Sequence, residues 1–153
     1  MNNNIIYRKA VNDDIPEMVE LLNILFSQEE EFIPQPEKQE HGLALILSED
    51  FNGDIFIAVD QASGKPIGMV SLLYSVSTAL GGIVATLEDM VLRSEYRANG
   101  IGSRLIEYAS EIALKKDVLR ITLLTDKNNF SAHAFYNKNG FSMSEMVVFR
   151  RIF

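Results

Sequence analysis

The segment Leu87–Ser103, LEDMVLRSEYRANGIGS, limits what this chain can fold into more than any other stretch. A strand-like run ends in an Arg-x-x-Gly-x-Gly turn, and an amphipathic helix begins at once. The first amides of a helix have no intrahelical acceptors, and the helix start carries partial positive charge. Glycines let a ligand approach the backbone without meeting a side chain. Arg97 adds a planar guanidinium suited to phosphate oxygens. Together these parts predict a cradle for a diphosphate. Gly-x-Gly is also ordinary turn chemistry at a helix start, and the segment alone does not separate the two readings. A P-loop is excluded, because no Gly-Lys-Ser/Thr follows at the required spacing. The Arg, the shortened glycine pattern and the mid-chain position argue against a dinucleotide fingerprint.

The rest of the chain supplies a frame for that turn. Ile5–Ala10 reads as an opening strand. Asn12–Asp14 offers N-cap oxygens, Pro16 suits a first helical turn, and Ile15, Met18, Val19, Leu22, Leu25 and Phe26 follow at helical spacing before fading into Ser27–Glu31. Phe32–Pro36 is a break, and Glu37–Leu47 resumes a helical period. Asp54–Asp60 and Pro66–Ser75 read as a hairpin about a turn at Gln61–Lys65. Ile83–Arg93 is a third long strand and Gly100–Lys116 the most regular helix. Val118–Thr125 reads as a strand buried on both faces. Phe130–Lys138 is a short helix stopped by Asn139-Gly140, and Phe141–Phe153 is a closing strand region. The order predicts one α/β domain over residues 1–153, with a twisted mixed sheet and helices on both faces.

Composition narrows the chemistry. With no cysteine among 153 residues, a thiol nucleophile, a thiolate zinc site and a disulfide scaffold are excluded. The net charge of −7 argues against a nucleic-acid partner, which would call for a basic footprint. No apolar run reaches membrane-spanning length, and Met1–Asn4 lacks the features of a signal peptide, so a cytoplasmic protein with no membrane partner is expected. Two isolated histidines, His41 and His133, do not make a metal site, and no metal is expected. His41 reads as exposed and His133 as a surface residue of a polar helix.

The strand–Arg-x-x-Gly-x-Gly–helix unit resembles the acetyl-CoA motif of GNAT N-acetyltransferases. Thirty residues on, Asn129–Phe141, NFSAHAFYNKNGF, resembles their second motif, in the family's order and spacing. The resemblance covers about Leu87–Phe141; over the first half only the element order agrees. It implies a GNAT-like fold and acetyl-CoA as acyl donor. It implies that Arg97, Ala98, Asn99, Gly100, Ile101, Gly102 and Ser103 hold the pyrophosphate. It also implies that Met90, Val91 and Leu92 meet the pantetheine arm, chiefly through main-chain atoms, and that Asn129 contacts the cofactor. Ala98 departs from the Gly many members carry there; its amide still serves if φ is negative.

The resemblance further implies direct attack of an acceptor amine on the acetyl group. Tyr136 is then the general acid toward the CoA sulfur, against a plain reading as a packed aromatic. Glu88 is the general base, through water, against a plain reading as an exposed carboxylate. Strand alternation would put Glu88, Met90 and Leu92 on one face and Asp89 and Val91 on the other. A backbone amide near Met90 could hold the oxyanion. Glu29, Glu30 and Glu31, with Glu37 and Glu40, form an acidic run that either attracts a cationic amine or is simply solvated. Phe32 and Phe51 either line an acceptor pocket or close the core. The acceptor is a small-molecule or peptide amine. Met146–Phe153 reads either as an internal strand or as one that pairs across a homodimer interface. The rival to an enzyme is a non-catalytic acyl-CoA sensor or regulatory module.

Overall fold

The computed structural model describes residues 4–29 and 33–153, so Glu30, Glu31, Phe32 and the first three residues lie outside it. The elements are β1 (Ile5–Lys9), α1 (Ile15–Ser27), α2 (Pro36–Leu47), β2 (Gly53–Asp60), β3 (Lys65–Ser77), β4 (Gly82–Leu92), α3 (Ile101–Lys115), β5 (Ile121–Leu123) and α4 (Phe130–Lys138). The strands lie side by side in chain order. β1 to β4 pair antiparallel, and β5 joins β4 in parallel. Parallel neighbours need a crossover, and α3 supplies it.

Period-two alternation in β2 decides which helix meets which face. Ile55 and Ile57 face α1 and α2, where they bury Met18, Leu21, Leu22 and Leu43. Phe56 and Ala58 face α3, whose Leu105, Ile106, Ala109 and Ala113 recur at helical spacing. Each such Leu contributes roughly 1.5–3 kcal/mol by leaving water. Buried Gln39 fastens α2 to α1: its Nε2 donates to Asn23 Oδ1 at 2.9 Å, and its Oε1 accepts from the Gln35 amide at 2.7 Å. The expected mixed sheet with helices on both faces is present.

Three expectations are corrected. Asp14 does not cap α1 through its side chain; its carboxylate takes the Arg8 guanidinium at 2.8 and 2.9 Å and the Val11 amide at 2.8 Å. β5 is three residues long, not eight, and its side chains are only partly covered. Leu119 and Leu124, which flank it, are 55% and 60% exposed, because among the described residues β5 has a strand neighbour on one side only. No strand forms over Phe141–Phe153, and every residue from Ser142 onward is exposed. The predicted stop after α4 is present: Gly140 has φ +87, and the Phe141 amide donates to the Tyr136 carbonyl at 3.0 Å, closing the helix as a left-handed cap.

Candidate active site

The cradle forms where β4 hands over to α3. Gly100 lies just before the first residue of α3 with φ +77 and ψ −3, and no side chain caps the helix. The first bond within the helix runs from the Arg104 amide to the Gly100 carbonyl at 3.0 Å, which leaves the amides of Ile101, Gly102 and Ser103 without intrahelical acceptors. Two left-handed residues, Ala98 at φ +62 and Gly100, curl the backbone before the helix, as in anion-binding nests. Ala98 therefore has the positive φ that its side chain disfavours, contrary to the condition set from sequence, at a cost of about 1–2 kcal/mol. Arg97 is partly committed: its Nε donates to the Leu92 carbonyl at 3.0 Å and braces the turn. Asn99 Nδ2 does the same toward the Arg97 carbonyl at 3.1 Å. The two glycines differ in purpose. Gly100 provides the backbone conformation, whereas a Cβ on Gly102 would sit 3.3 Å from Met90 Cε and 3.4 Å from Phe135 Cζ. Gly102 thus lets α3, β4 and α4 meet. Ile101 and Val91 are buried, so only their main chains can face a ligand.

β4 outruns its neighbour. It pairs with β5 over Ala85–Leu87 only and continues to Leu92, so the edge past Leu87 has no β5 partner. On its other edge β4 carries one extra residue: Met69 faces Val91 and Ser71 faces Glu88, two steps against three. This is a β-bulge at Asp89, whose φ is +54. The bulge overturns the simple alternation. Leu87, Met90 and Leu92 pack toward α3, while Val91 packs toward α1 and α2. Glu88 no longer shares a face with Met90 and Leu92, and it is exposed. Ser71, opposite it, is fully buried with a hydroxyl that has no hydrogen-bond partner.

Asp89 is the residue that sequence reasoning missed. Burial, then the charges of Glu88 and Glu29, push its carboxyl up to about 6. Glu29 acts on Tyr136 as well. Burial first and Glu29 second push that phenol up to about 12. Glu29, at the end of the α1 segment, thus stands near both the β4 bulge and α4. Tyr136 packs edge-on against Phe135 at 5.3 Å and Phe141 at 5.7 Å between ring centres. The adjacent Glu88-Asp89 pair was visible in the sequence, but assuming a regular strand hid the bulge at Asp89.

The other sequence candidates divide. Asn129 caps α4, its Oδ1 accepting from the Ala132 amide at 3.1 Å, which leaves Nδ2 as the group able to face a ligand. His133 Nε2 lies 3.0 Å from the Asp126 carbonyl, and its ring rests against Phe130, so it ties α4 to the preceding loop. Glu37, Glu40, His41 and Phe51 are exposed on or just after α2. Among the described residues no His, Asp and Glu cluster is arranged to hold a metal, and no helix is long and apolar enough to cross a membrane. A groove of about 490 Å³ runs from Gly100 and Ser103 along α3 to Ser110 and Asn139. The groove and the start of α3 share Gly100 and Ser103.

Comparison with known proteins identifies the family. Residues 15–141 match the family described as "Acetyltransferase (GNAT) family". An uncharacterised N-acetyltransferase of Bacillus subtilis, YhfO, is 26% identical over 117 residues, 76% of this chain and 78% of that protein. A spermidine N(1)-acetyltransferase of Thermoplasma acidophilum is 28% identical over 123 residues, 79% of this chain and 73% of that protein. The solved structure of a transcriptional regulator from Bacillus halodurans C-125 superimposes with a TM-score of 0.81 at 26% identity, covering 97% of this chain and 99% of that one.

Proposed function

Because the chain belongs to the GNAT acetyltransferase family, we propose that it transfers an acetyl group from acetyl-CoA to a primary amine. The observation that carries the reading is the uncapped start of α3, with three unfilled amides after two left-handed residues and an open strand edge alongside. That set fits a pyrophosphate followed by an amide-bearing arm. Gly100 has nothing within 4 Å of a would-be Cβ, so the backbone there is open to a ligand. Ile101, Gly102 and Ser103 would hold the pyrophosphate by main-chain donation, with Ala98, Asn99 and the free end of the Arg97 guanidinium around it. Met90 and Leu92 would offer main-chain groups to the arm, and Asn129 its side-chain amide. Acetyl-CoA supplies the activated thioester; the chain supplies position and proton management.

We assign the proton from the acceptor to Asp89, with Glu88 at the mouth. An alkyl ammonium titrates near ~10, and an ordinary Asp near ~4 is a poor match for it. Raising Asp89 to about 6 narrows the gap by about 3 kcal/mol, yet leaves the group a carboxylate at neutral pH. Glu88 and Glu29 keep that carboxyl basic and favour a cationic acceptor, in line with the name of the Thermoplasma relative. Tyr136 keeps its proton at every working pH, being pushed up to about 12, and is the donor to the leaving sulfur.

Thermal unfolding with acetyl-CoA, and with ATP and NAD as controls, tests the reading. At a hundred times its Kd a ligand stabilises by about 2.7 kcal/mol, a rise of roughly 5–10 °C in a domain this size. No shift at millimolar acetyl-CoA would remove the cradle assignment. A second reading, an acyl-CoA-responsive regulator, draws on the description of the Bacillus halodurans neighbour. It predicts tight acetyl-CoA binding without turnover on any amine.

A further inference from the structure

The chain has three Asn-Gly pairs, Asn52-Gly53, Asn99-Gly100 and Asn139-Gly140. An asparagine followed by glycine carries its own electrophile and nucleophile, because the side-chain amide carbon can close a five-membered ring with the next backbone nitrogen. Glycine offers no side chain to block that approach. Ring closure needs solvent at the pair, a glycine N–H free of any acceptor, and a backbone able to turn.

The fold treats the three pairs differently. Asn139 is half-buried, its Nδ2 donates to the Phe135 carbonyl at 2.7 Å, and the Gly140 amide donates to the Asn137 carbonyl at 3.2 Å. Both reacting groups are thus held in the cap of α4. Gly53 opens β2 opposite Leu73, and the Asn52 carbonyl accepts the Tyr74 amide at 2.9 Å. That ladder keeps the backbone extended. Ile46, Phe51 and the Leu72 carbonyl close in beside Gly53, each 3.2 Å from where a Cβ would lie. At Asn99-Gly100 these restraints are missing. Both residues are exposed, and among the described residues the Gly100 amide donates to no acceptor. Nothing lies within 4 Å of a would-be Cβ on Gly100. One exposed bond, from Asn99 Nδ2 to the Arg97 carbonyl at 3.1 Å, is all that holds the side chain. Gly100 immediately precedes α3, and the partial positive charge of a helix start stabilises a nitrogen that has lost its proton.

We propose that Asn99-Gly100 is a site of self-modification, where the Gly100 backbone nitrogen displaces ammonia from the Asn99 side chain, and that an occupied cradle prevents it. Solvent base takes the Gly100 N–H proton and frees a lone pair otherwise tied up in peptide resonance. The nitrogen bonds to Asn99 Cγ, the bond from Cγ to Nδ2 breaks, and the amide nitrogen leaves as ammonia with a proton returned by solvent. The resulting succinimide takes up a water molecule. Opening at Cγ gives aspartate. Opening at the Asn99 main-chain carbonyl gives isoaspartate, which adds a methylene to the main chain.

Both products fall where the turn tolerates them least. Asn99 stands between the two left-handed residues that curl the backbone, Ala98 at φ +62 and Gly100 at φ +77. Aspartate places an anion beside the unfilled amides of Ile101, Gly102 and Ser103, and isoaspartate lengthens the turn that aims them. The consequence for the donor rests on the acetyl-CoA reading of this cradle. A bound pyrophosphate screens Gly100 from solvent base, and its negative charge opposes loss of a proton there. The chain therefore ages fastest when its donor is absent.

Peptide mapping by mass spectrometry, after the full chain has aged in mildly alkaline buffer, reads the site without reference to the enzymatic reading. In the folded chain Asn99 should convert about tenfold or more faster than Asn52 and Asn139. In urea the three rates should converge, because the residue pair is the same in each. Equal rates in the folded chain, or the same ranking in urea, overturn the proposal. Asn99→Gln, which would have to close a six-membered ring, should remove the main acidic species seen on ion exchange, and its persistence overturns the assignment. Saturating acetyl-CoA should slow conversion at Asn99 about tenfold or more and leave the other two pairs unchanged. Asn99→Asp should weaken acetyl-CoA binding about tenfold or more by titration calorimetry, through like-charge repulsion, and undiminished affinity overturns the link to the donor. If acetyl-CoA binds yet Asn99 is not slowed, the proposed protection fails while the enzymatic reading stands. If acetyl-CoA does not bind, the enzymatic reading fails, and the comparison of folded chain with urea still decides the site.

Discussion

Replacing Asp89 by Asn should make the protein more stable and a poorer catalyst at the same time. The carboxyl is pushed up to about 6 in the folded chain, whereas an unfolded Asp titrates near ~3.9. A raised carboxyl means that the charged form is disfavoured by folding. The associated stability is therefore fully present below pH ~4 and is lost as pH rises through about 6. Two units correspond to about 3 kcal/mol, and partial exposure of the group reduces that to about 2–3 kcal/mol. Asn keeps the shape, cannot ionise, and accepts the φ of +54 as readily as Asp. At pH 8 the variant should therefore melt roughly 5–10 °C above wild type, and at pH 4 the two should nearly coincide. Turnover at pH 8 should fall at least a hundredfold, as for loss of a general base. The wild-type rate should decline as pH drops through about 6. Melting curves and pH–rate profiles of both proteins decide the matter. A variant that is destabilised, or stabilised equally at pH 4 and pH 8, would refute the account of the buried charge. Unchanged turnover would return the base to Glu88.

Other substitutions probe the remaining parts. Tyr136→Phe should lower turnover at least tenfold while leaving acetyl-CoA affinity within about twofold, as read by steady-state kinetics and titration calorimetry. Ala98→Gly should raise stability by up to about 1 kcal/mol, because φ +62 no longer meets a Cβ, and a denaturant melt would record it. Asp54 receives Lys9 at 2.8 Å, Lys116 at 3.0 Å and the Tyr74 hydroxyl at 2.7 Å, and these partners hold its carboxyl below the ordinary Asp value. Asp54→Asn should therefore cost about 1–3 kcal/mol at pH 7. A lowered carboxyl contributes stability above the unfolded pKa and loses it as pH falls through the folded one, so that penalty should shrink below pH ~4.

The sequence announced the elements whose signals are local. Helical spacing marked α1 and α3, the turn residues of Gln61–Lys65 marked the hairpin, and Asn139-Gly140 marked a stop that the structure closes as expected. The turn at Arg97–Ser103 was legible because its physics lies in consecutive backbone groups. What could not be read depended on neighbours. The bulge at Asp89 exists because β3 spends two residues where β4 spends three, a count that neither strand carries alone. The length of β5 is set by how far β4 stays beside it, and the apolar tail reads as a strand whether or not its own chain offers it a partner. Ala98 was judged by its amide, but its φ is imposed by the need to curl the backbone ahead of α3.

The meeting of Gly102 with Phe135 and Met90 bears on how the molecule opens locally. α4 buries none of its residues, so its hold on the body rests on a few partly covered rings, Phe135 foremost. Amide protons in α4 should exchange with solvent far sooner than those in the middle of α3, where Leu105 and Ala109 are sealed in the core. The cradle amides and the ring that steadies α4 touch the same short stretch of α3. A ligand that orders the first turn of that helix should therefore slow exchange in α4 without contacting most of it, and the protein would register an occupied cradle as a quieting of the helix that carries Tyr136.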